Sequence, residues 1–365
     1  FRNIISPTMF GMDRFLQNRT HIQGEYSRIK ENFINTMKRM YPSDEKENQN
    51  VHINRQDVKN MIYICENDKM QLNLLQKMMK RIFGPEDIAL EYLKLLYHLK
   101  LPNEMRKVLD GKEFSKLFEN TISYVIVMSL FYDYKLYNDV IDTYHRMISK
   151  NVMSIKSAKL QTILTMAACY HLDSSWSLQE ATSIIKKQEE IHIRLDPKSL
   201  SFASALALKQ NQSHLALELT SKTPWNSYML KNLKILALVE VGRAEDALPI
   251  LRGYSGGFST YPSNEKNDNL IFSKTLISVK KALLHKGNNE ALLEFTALRK
   301  ELAKKSLITD KIIFNTLIEP MEENPQTNKN LARTMVQGSF ERGRKRGKTQ
   351  KVHKNRVGRT NLDLL

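Results

Sequence analysis

The chain has 365 residues, 41% of them hydrophobic, which is enough for a sizeable buried core in one extended domain or two compact ones. Its 56 Lys and Arg residues exceed its 39 Asp and Glu residues, and the net charge of +17 favours a polyanionic partner, either nucleic acid or an anionic membrane surface. No apolar run approaches the ~18 residues needed to span a bilayer, so the sequence predicts a soluble protein. Two isolated cysteines, Cys65 and Cys169, lie in apolar helical patterns, which argues against a disulfide framework and a zinc site.

Residues 1–50 predict an N-terminal segment with one helix and a polar linker. Residues 1–20 contain three arginines and a single acid, a composition that resembles the remnant of an organelle-targeting peptide. Because the chain begins with Phe1 rather than Met, we expect a fragment or a protein that has lost its leader. Residues 25–41 repeat apolar side chains at helical spacing and predict the helix, and the polar residues 42–50 predict the linker.

Residues 121–155 predict a helical hairpin. Apolar side chains follow an i, i+3, i+4, i+7 rhythm from Tyr124 to Phe131, and a second such rhythm runs from Val140 to Ile148. Two amphipathic helices in 35 residues cannot bury both of their apolar faces alone, so we expect neighbours of the same kind on either side.

An apolar anchor of the second helix recurs along the chain at intervals of 33, 35, 41, 35 and 31 residues. The anchors are Leu72, Met105, Val140, Ala181, Ala216 and Ala247. Such intervals are typical of helical-repeat proteins, and the alternative is an ordinary helical bundle whose hairpins have similar lengths. The pattern favours an all-α fold, an α-solenoid of helix-turn-helix repeats over residues 51–252.

The C-terminal third predicts fewer repeats and a basic tail. The glycine-containing stretch 253–269 predicts a linker loop, and residues 270–320 predict C-terminal helical hairpins. Residues 321–365 lose the apolar rhythm, and between 341 and 365 there are nine Lys or Arg residues and two acids. We expect this tail to be disordered, because it cannot bury enough apolar surface to offset the entropy of ordering.

Residue spacing gives no indication of catalysis. None of the nine histidines stands at the i, i+4 spacing that places two metal ligands on one helix face, and no nucleophile and base can be paired. Residues 343–349 resemble a phosphate-binding loop that lacks one residue, a preceding strand and a following helix. The sequence therefore predicts no enzyme, no metal and no cofactor. The tyrosines and phenylalanines between 92 and 144 are either stacking platforms for unpaired bases or inter-helix core, and their helical spacing favours core.

The hairpin opens on the residues ISYV at 122–125 and closes on YHRM at 144–147, before a short turn at 150–152. In this it resembles a pentatricopeptide repeat, and the likeness extends over residues 83–252. The resemblance implies an α-solenoid in the mitochondrial matrix that acts in RNA maturation or stability and supports the respiratory chain. Its implied partners are single-stranded mitochondrial transcripts and RNA-processing or ribosomal proteins.

The chain departs from base-reading members of this family. Those members specify a base with a polar residue early in the first helix and another at the end of the repeat. Here the early position is apolar in three successive units, at Leu90, Val125 and Leu160, and the terminal position is Asn120 and then Ile155. Recognition by shape, charge or a protein partner is therefore favoured over base-by-base reading.

These patterns predict a non-catalytic RNA-binding protein that binds through counterion release. The alternative is a protein-docking scaffold, for instance one associated with the mitochondrial ribosome, and a nuclease is the weakest reading because no acidic metal-binding cluster accompanies the repeats. The predicted RNA contacts are Asn120, Lys156, Lys159, Arg342, Arg344, Lys345, Arg346, Lys348, Lys351, Lys354, Arg356 and Arg359. The tail is also compatible with a merely solubilising segment.

Overall fold

The computed structural model describes residues 3–41, 54–81, 86–150, 158–222, 227–255 and 270–321. The α-helices in this part of the chain are α1 (Met12–Glu25), α2 (Lys30–Met40), α3 (Arg55–Ile64), α4 (Lys69–Arg81), α5 (Glu86–His98), α6 (Pro102–Asp110), α7 (Thr121–Asp133), α8 (Tyr137–Ser149), α9 (Lys159–Leu172), α10 (Ser175–Glu190), α11 (Pro197–Lys209), α12 (Ser213–Ser221), α13 (Tyr228–Glu240), α14 (Ala247–Ser255), α15 (Ser273–Lys286), α16 (Asn289–Lys304) and α17 (Ile313–Leu317). Short 3-10 helices cover Pro7–Phe10, Lys112–Phe118 and Ala244–Asp246, and two strands, β1 (Ile271–Phe272) and β2 (Ile308–Thr309), pair in parallel. The predicted all-α fold class is confirmed.

The helices from α3 onward form successive hairpins in which odd-numbered helices come first and even-numbered helices second. Each first helix packs against the next first helix, from α3 through α15, so the first helices form one continuous layer. The six predicted anchors all lie in second helices, and all are buried. The periodic apolar positions are therefore the contacts that hold hairpins together, and the predicted α-solenoid is confirmed.

The turn that ends each first helix has a recurrent conformation. Lys100, Lys135, Asn211 and Gly242 follow first helices and have φ values of 57°, 59°, 57° and 80°. The next residue in each case donates its amide back into the helix, as Leu136 N does to Phe131 O at 2.9 Å. This left-handed cap satisfies carbonyls that the helix end leaves without partners.

Ion pairs between neighbouring hairpins repeat the same period. Arg106 pairs with Asp139 at 2.7 Å, and Lys222 pairs with Glu189 at 3.0 Å, each linking residues 33 apart. Such partly exposed pairs contribute little stability one at a time. Their consequence is electrostatic, because much of the positive charge on the second helices is matched by the adjacent hairpin.

The N-terminal segment differs from its prediction. One helix was expected in residues 1–50, whereas α1 and α2 are both present, and α1 begins within the stretch interpreted as a leader remnant. The first 3-10 helix and α1 pack across α7, α5 and α3. Phe15 is fully buried, with its ring centroid 5.6 Å from that of Tyr63, and the buried Arg19 guanidinium donates to Cys65 O at 2.7 Å. The segment is thus an integral part of the array.

Residues 270–320, interpreted as C-terminal helical hairpins, contain α15, α16 and α17. Pro249 falls in the first turn of α14, where a missing amide donor is tolerated. After α16 the chain turns back, so that β2 pairs with β1 and α17 packs against α11. Residues 253–255 of the predicted loop 253–269 belong to the end of α14, and the rest of that loop and the basic tail beyond Met321 lie outside the described residues.

Two sequence predictions about side chains, those for the aromatic residues and the cysteines, can be compared directly with the structure. Tyr92, Tyr124 and Phe131 are fully buried, so the aromatic cluster is mainly core, as expected. The two cysteines are buried and unpaired with each other. Within the described residues, no helix combines the length and the apolar character needed to cross a bilayer.

Candidate nucleic-acid interface

Adjacent first helices place their equivalent ends together, so the layer has two edges. The start edge consists of residues at the N-terminal ends of first helices, namely Asn120, Lys159, Lys198 and Asn232. The turn edge consists of residues at or just beyond their C-terminal ends, namely Lys100, Tyr134, Lys135, Tyr137, His171, Trp176 and Lys209. These two surfaces differ in how many of their polar groups already have partners within the protein.

The structure brings the predicted contacts Asn120 and Lys159 to the start edge. Gln161 donates to Thr121 O at 2.8 Å and so links the beginnings of α9 and α7. The Asn120 side-chain oxygen accepts from Ile122 N at 3.0 Å and caps α7, and Lys159 pairs with Asp196 at 2.8 Å. Each side chain has a partner within the fold, and their role in RNA binding stays a prediction.

The remaining predicted contacts lie outside the described residues. They are Lys156, Arg342, Arg344, Lys345, Arg346, Lys348, Lys351, Lys354, Arg356 and Arg359.

Other polar groups of the start edge also serve the fold. Burial lowers the pKa of Lys198 to about 8, and its ammonium group donates to Glu319 O at 3.4 Å. Asn232 is fully buried and holds the backbone of residues 270–272. Val125, at the early repeat position, is 3% exposed and its side chain is apolar, so it cannot hydrogen-bond a base. The start edge therefore offers few available groups.

The turn edge contains a continuous run of aromatic contacts between hairpins. Tyr137 stacks on His171 with ring centroids 5.0 Å apart and an interplanar angle of 8°. Tyr132 packs edge-on against both rings. Burial lowers the pKa of His171, and the charges of Lys209 and Lys135 lower it further, which favours the neutral ring near pH 7. This pair gives the edge a rigid apolar floor.

Cations and exposed rings border that floor. Lys100 and Lys135 are exposed at the left-handed turn positions, and the Tyr134 hydroxyl donates to Lys100 O at 3.0 Å. Tyr134 is 37% exposed and Trp176 is 49% exposed, although both are large aromatic residues. Exposed rings interleaved with lysines are the combination that binds unpaired bases and their phosphates.

Lys209 extends this arrangement to the next hairpin. Its ammonium nitrogen lies 4.2 Å from the ring centroid of Tyr170 and 3.3 Å from a carboxylate oxygen of Asp173. The lysine is therefore positioned by a cation–π contact and an ion pair. The turn edge thus spans four consecutive hairpins, from the end of α5 to the end of α11.

One half-buried carboxyl group, that of Asp133, adjoins the turn edge. Asp133, the last residue of α7, accepts a hydrogen bond from the Tyr97 hydroxyl at 2.9 Å. Burial raises the pKa of Asp133 to about 6, against the smaller lowering effects of Tyr97 and Lys100. Near neutral pH this carboxylate is largely ionised, and it places one negative charge beside Lys100 and Lys135.

Asp133 should make stability depend on pH. A carboxyl group whose pKa is higher in the folded than in the unfolded state binds more protons when folded, so stability falls as pH rises through roughly 4 to 6. Over this pH range, we expect the free energy of unfolding of Asp133→Asn to fall by about 1–2 kcal/mol less than that of the parent protein. Urea unfolding at several pH values measures this slope of the free energy of unfolding against pH. Asp142→Asn, at an exposed position of α8, should leave it unchanged, and an equal slope in both variants would contradict the assignment.

The sequence missed the turn edge because its members come from different hairpins. The one available signal was the repeated lysine before the second helix, at Lys100 and Lys135. Among the described residues, no group of three His, Cys, Asp or Glu side chains is arranged to hold a metal ion. What the site offers chemically is aromatic surface and positive charge.

The fold defines a class, namely α-solenoids built from stacked helical hairpins. A Xenopus laevis protein named pentatricopeptide repeat-containing protein 2, mitochondrial, is 24% identical over 222 residues, covering 58% of this chain and 57% of that protein. The Mus musculus protein of the same name is 25% identical, covering 57% of this chain and 56% of its own length. The Homo sapiens protein is 22% identical, with 70% and 66% covered.

The chain thus spans a little over half the length of its frog and mouse relatives. No protein-family model matches it. The shared name of these relatives confirms the predicted resemblance to pentatricopeptide repeat proteins, and each of them is named as mitochondrial.

Proposed function

We propose that this protein is a non-catalytic, mitochondrial RNA-binding protein whose turn edge holds single-stranded RNA. The observation that carries the proposal is the combination of exposed Tyr134 and Trp176 rings with exposed Lys100 and Lys135 along one edge of the array. The names of its relatives and its net charge of +17 support the same class of ligand.

Two physical effects would contribute to the affinity for RNA, namely counterion release and base stacking. Lysines that neutralise phosphates release condensed counterions, so affinity falls steeply with salt concentration. Bases that stack on exposed rings contribute about 1–3 kcal/mol each with little sequence preference. Apolar residues at the early repeat positions support recognition by shape and charge over base-by-base reading. In the matrix, such a protein would stabilise or present transcripts for maturation and so support the respiratory chain.

The predicted tail contacts fit the same mechanism. Arg342, Arg344, Lys345 and Arg346, with the later lysines and arginines, would add phosphate contacts without sequence information. Asn120, Lys156 and Lys159 would contact RNA only if it also reached the start edge. The turn edge and the tail therefore make separable contributions.

The test is titration of a short labelled single-stranded RNA with the full chain at two salt concentrations. We expect Lys100→Gln with Lys135→Gln to weaken binding and to reduce the salt slope by about two, because two phosphate contacts are lost. Trp176→Ala should weaken binding about tenfold at either salt concentration, because stacking is lost without a change in charge.

The matched control is Lys186→Gln with Lys187→Gln, which removes two exposed charges from α10 away from the turn edge. This control should keep nearly the parental salt slope. If it weakens binding as much as the turn-edge variant does, only net charge matters and the turn edge is not the site. If changing four tail residues to Gln is enough to abolish RNA binding, the tail is the binding site; these residues are Arg342, Arg344, Lys345 and Arg346.

A protein-docking scaffold is the second candidate, for instance one associated with the mitochondrial ribosome. It is favoured by an exposed apolar stripe on α15, where Ile277 and Leu284 are 48% and 53% exposed. Purification from mitochondria would distinguish the two, since a scaffold would be recovered with a large assembly after nuclease treatment, whereas an RNA binder would be released from it.

A further inference from the structure

Among the described residues, α15 is the last helix of the first-helix layer, and one side of it carries the apolar stripe. α15 packs against α13 and α16, and its buried residues are Thr275, Leu276, Val279 and Leu283. On a helix of 3.6 residues per turn, the opposite side carries the exposed residues Lys274, Ile277, Lys280, Lys281 and Leu284, which we call the open face. Inner first helices are covered on both sides by neighbours, as in α9, where residues 161–170 are all buried.

The open face is apolar along its centre. Ile277 and Leu284 stand seven residues apart, two helical turns, and therefore lie in one stripe. Large apolar side chains that stay exposed together on one helix face can mark a surface that a partner covers.

The same face is uniformly positive. α15 has the sequence SKTLISVKKALLHK, with four lysines and no acid. Lys286 pairs with Glu245, but the salt bridges among the described residues include none for Lys274, Lys280 or Lys281. The nearby acids on α16 include Glu294, which is engaged by Arg252 at 2.6 Å. Helical angles place Lys280 on one side of the stripe and Lys281 on the other.

We propose that the open face binds an acidic amphipathic helix of a partner protein. Leucines or isoleucines of that helix would cover Ile277 and Leu284, and its Asp or Glu side chains would pair with Lys274, Lys280 and Lys281. The inference is independent of RNA binding at the turn edge, because it uses other residues on another surface.

Charge and polarity distinguish this occupant from the others. A second copy would place one positive face against another, which is unfavourable. The tail of this chain is also unsuitable, because residues 341–365 contain nine Lys or Arg residues against two acids and residues 322–340 contain two of each, so neither part has a net negative charge. RNA would match the lysines but would leave the apolar stripe uncovered. An acidic helix with an apolar stripe would pair with the lysines of the open face and also cover Ile277 and Leu284.

The probe is a synthetic, fluorescently labelled peptide that forms an amphipathic helix with a leucine stripe flanked by glutamates. Its binding to the full chain is measured by anisotropy, alongside a peptide of the same composition whose order is scrambled. We expect the amphipathic peptide to bind and the scrambled one to bind at least about tenfold more weakly, because only the former presents one stripe. Equal affinities would overturn the proposal.

Two variants locate the binding. Ile277→Ser with Leu284→Ser should weaken peptide binding about tenfold or more, while Met70→Ser with Ile191→Ser, which removes apolar groups 62% and 44% exposed elsewhere, should not. Lys280→Gln with Lys281→Gln should weaken it mainly at low salt. If the open-face variants leave peptide affinity unchanged but weaken binding of a single-stranded RNA, the face is a nucleic-acid surface and the proposal fails.

Discussion

Replacing Asn232 with Leu should destabilise the protein by about 3 kcal/mol. Asn232 is fully buried in α13, where its amide nitrogen lies 2.8 Å from Tyr228 O and 3.0 Å from Leu270 O, and its oxygen accepts from Phe272 N at 3.1 Å. Leucine has nearly the same volume but leaves buried backbone groups without partners, each at about 1–3 kcal/mol. Urea unfolding measures the loss.

The same contacts make a more local readout possible. Asn232 is the side chain that holds the start of the C-terminal hairpin to α13, so hydrogen exchange at the Phe272 amide should accelerate in the Asn232→Leu variant. Asn103→Leu, at an exposed position of α6, is the control and should change stability by less than about 0.5 kcal/mol. Equal stability of the two variants would contradict the role assigned to Asn232.

A second substitution tests the chemistry at this position. Asn232→Asp keeps an oxygen for Phe272 N but loses the donors and buries a carboxyl group, whose folded pKa should rise well above its unfolded value. The stability of this variant should therefore fall as pH rises and partly recover on acidification, unlike that of Asn232→Leu. The urea unfolding midpoints of Asn232→Asp and Asn232→Leu at two pH values measure this difference.

The hairpin array could be predicted because its contacts are periodic. Anchors such as Val140 and Ala216 must be small or apolar in every repeat, since each packs against the neighbouring hairpin, and that requirement is visible in one sequence. The N-terminal segment has no such repetition. Its buried side includes Arg19, whose burial depends on carbonyl partners at the end of α3, and a local pattern cannot indicate those partners.

The candidate site was harder to predict for a related reason. Asn120 was interpreted as a base contact, yet it precedes a helix, and an N-terminal cap is an equally local role for an asparagine. The stacked pair of Tyr137 and His171 joins residues in different hairpins, so only the register between hairpins reveals it. Lys100 and Lys135 adopt positive φ without being glycines, and their recurrence in the sequence gave no indication that these turns would be left-handed.

Replacing Phe15 with Ala should destabilise the protein by about 3–5 kcal/mol, as expected for a large aromatic side chain removed from a core. Phe15 is fully buried between the N-terminal segment and the first-helix layer, and its ring centroid lies 5.6 Å from that of Tyr63 and 6.3 Å from that of His98. The cavity would lie where α1 crosses the ends of α3 and α5, so residues 3–25 should become sensitive to protease before the remainder of the array.

Leu16 provides a matched control, because it is the next residue of the same helix and is 38% exposed. Leu16→Ala should reduce the free energy of unfolding by less than about 1 kcal/mol and leave protease resistance unchanged. If Phe15→Ala behaves like Leu16→Ala, the N-terminal segment does not contribute to the folded array. If only Phe15→Ala is destabilised and cleaved early, α1 packs against the first-helix layer as an integral part of the array.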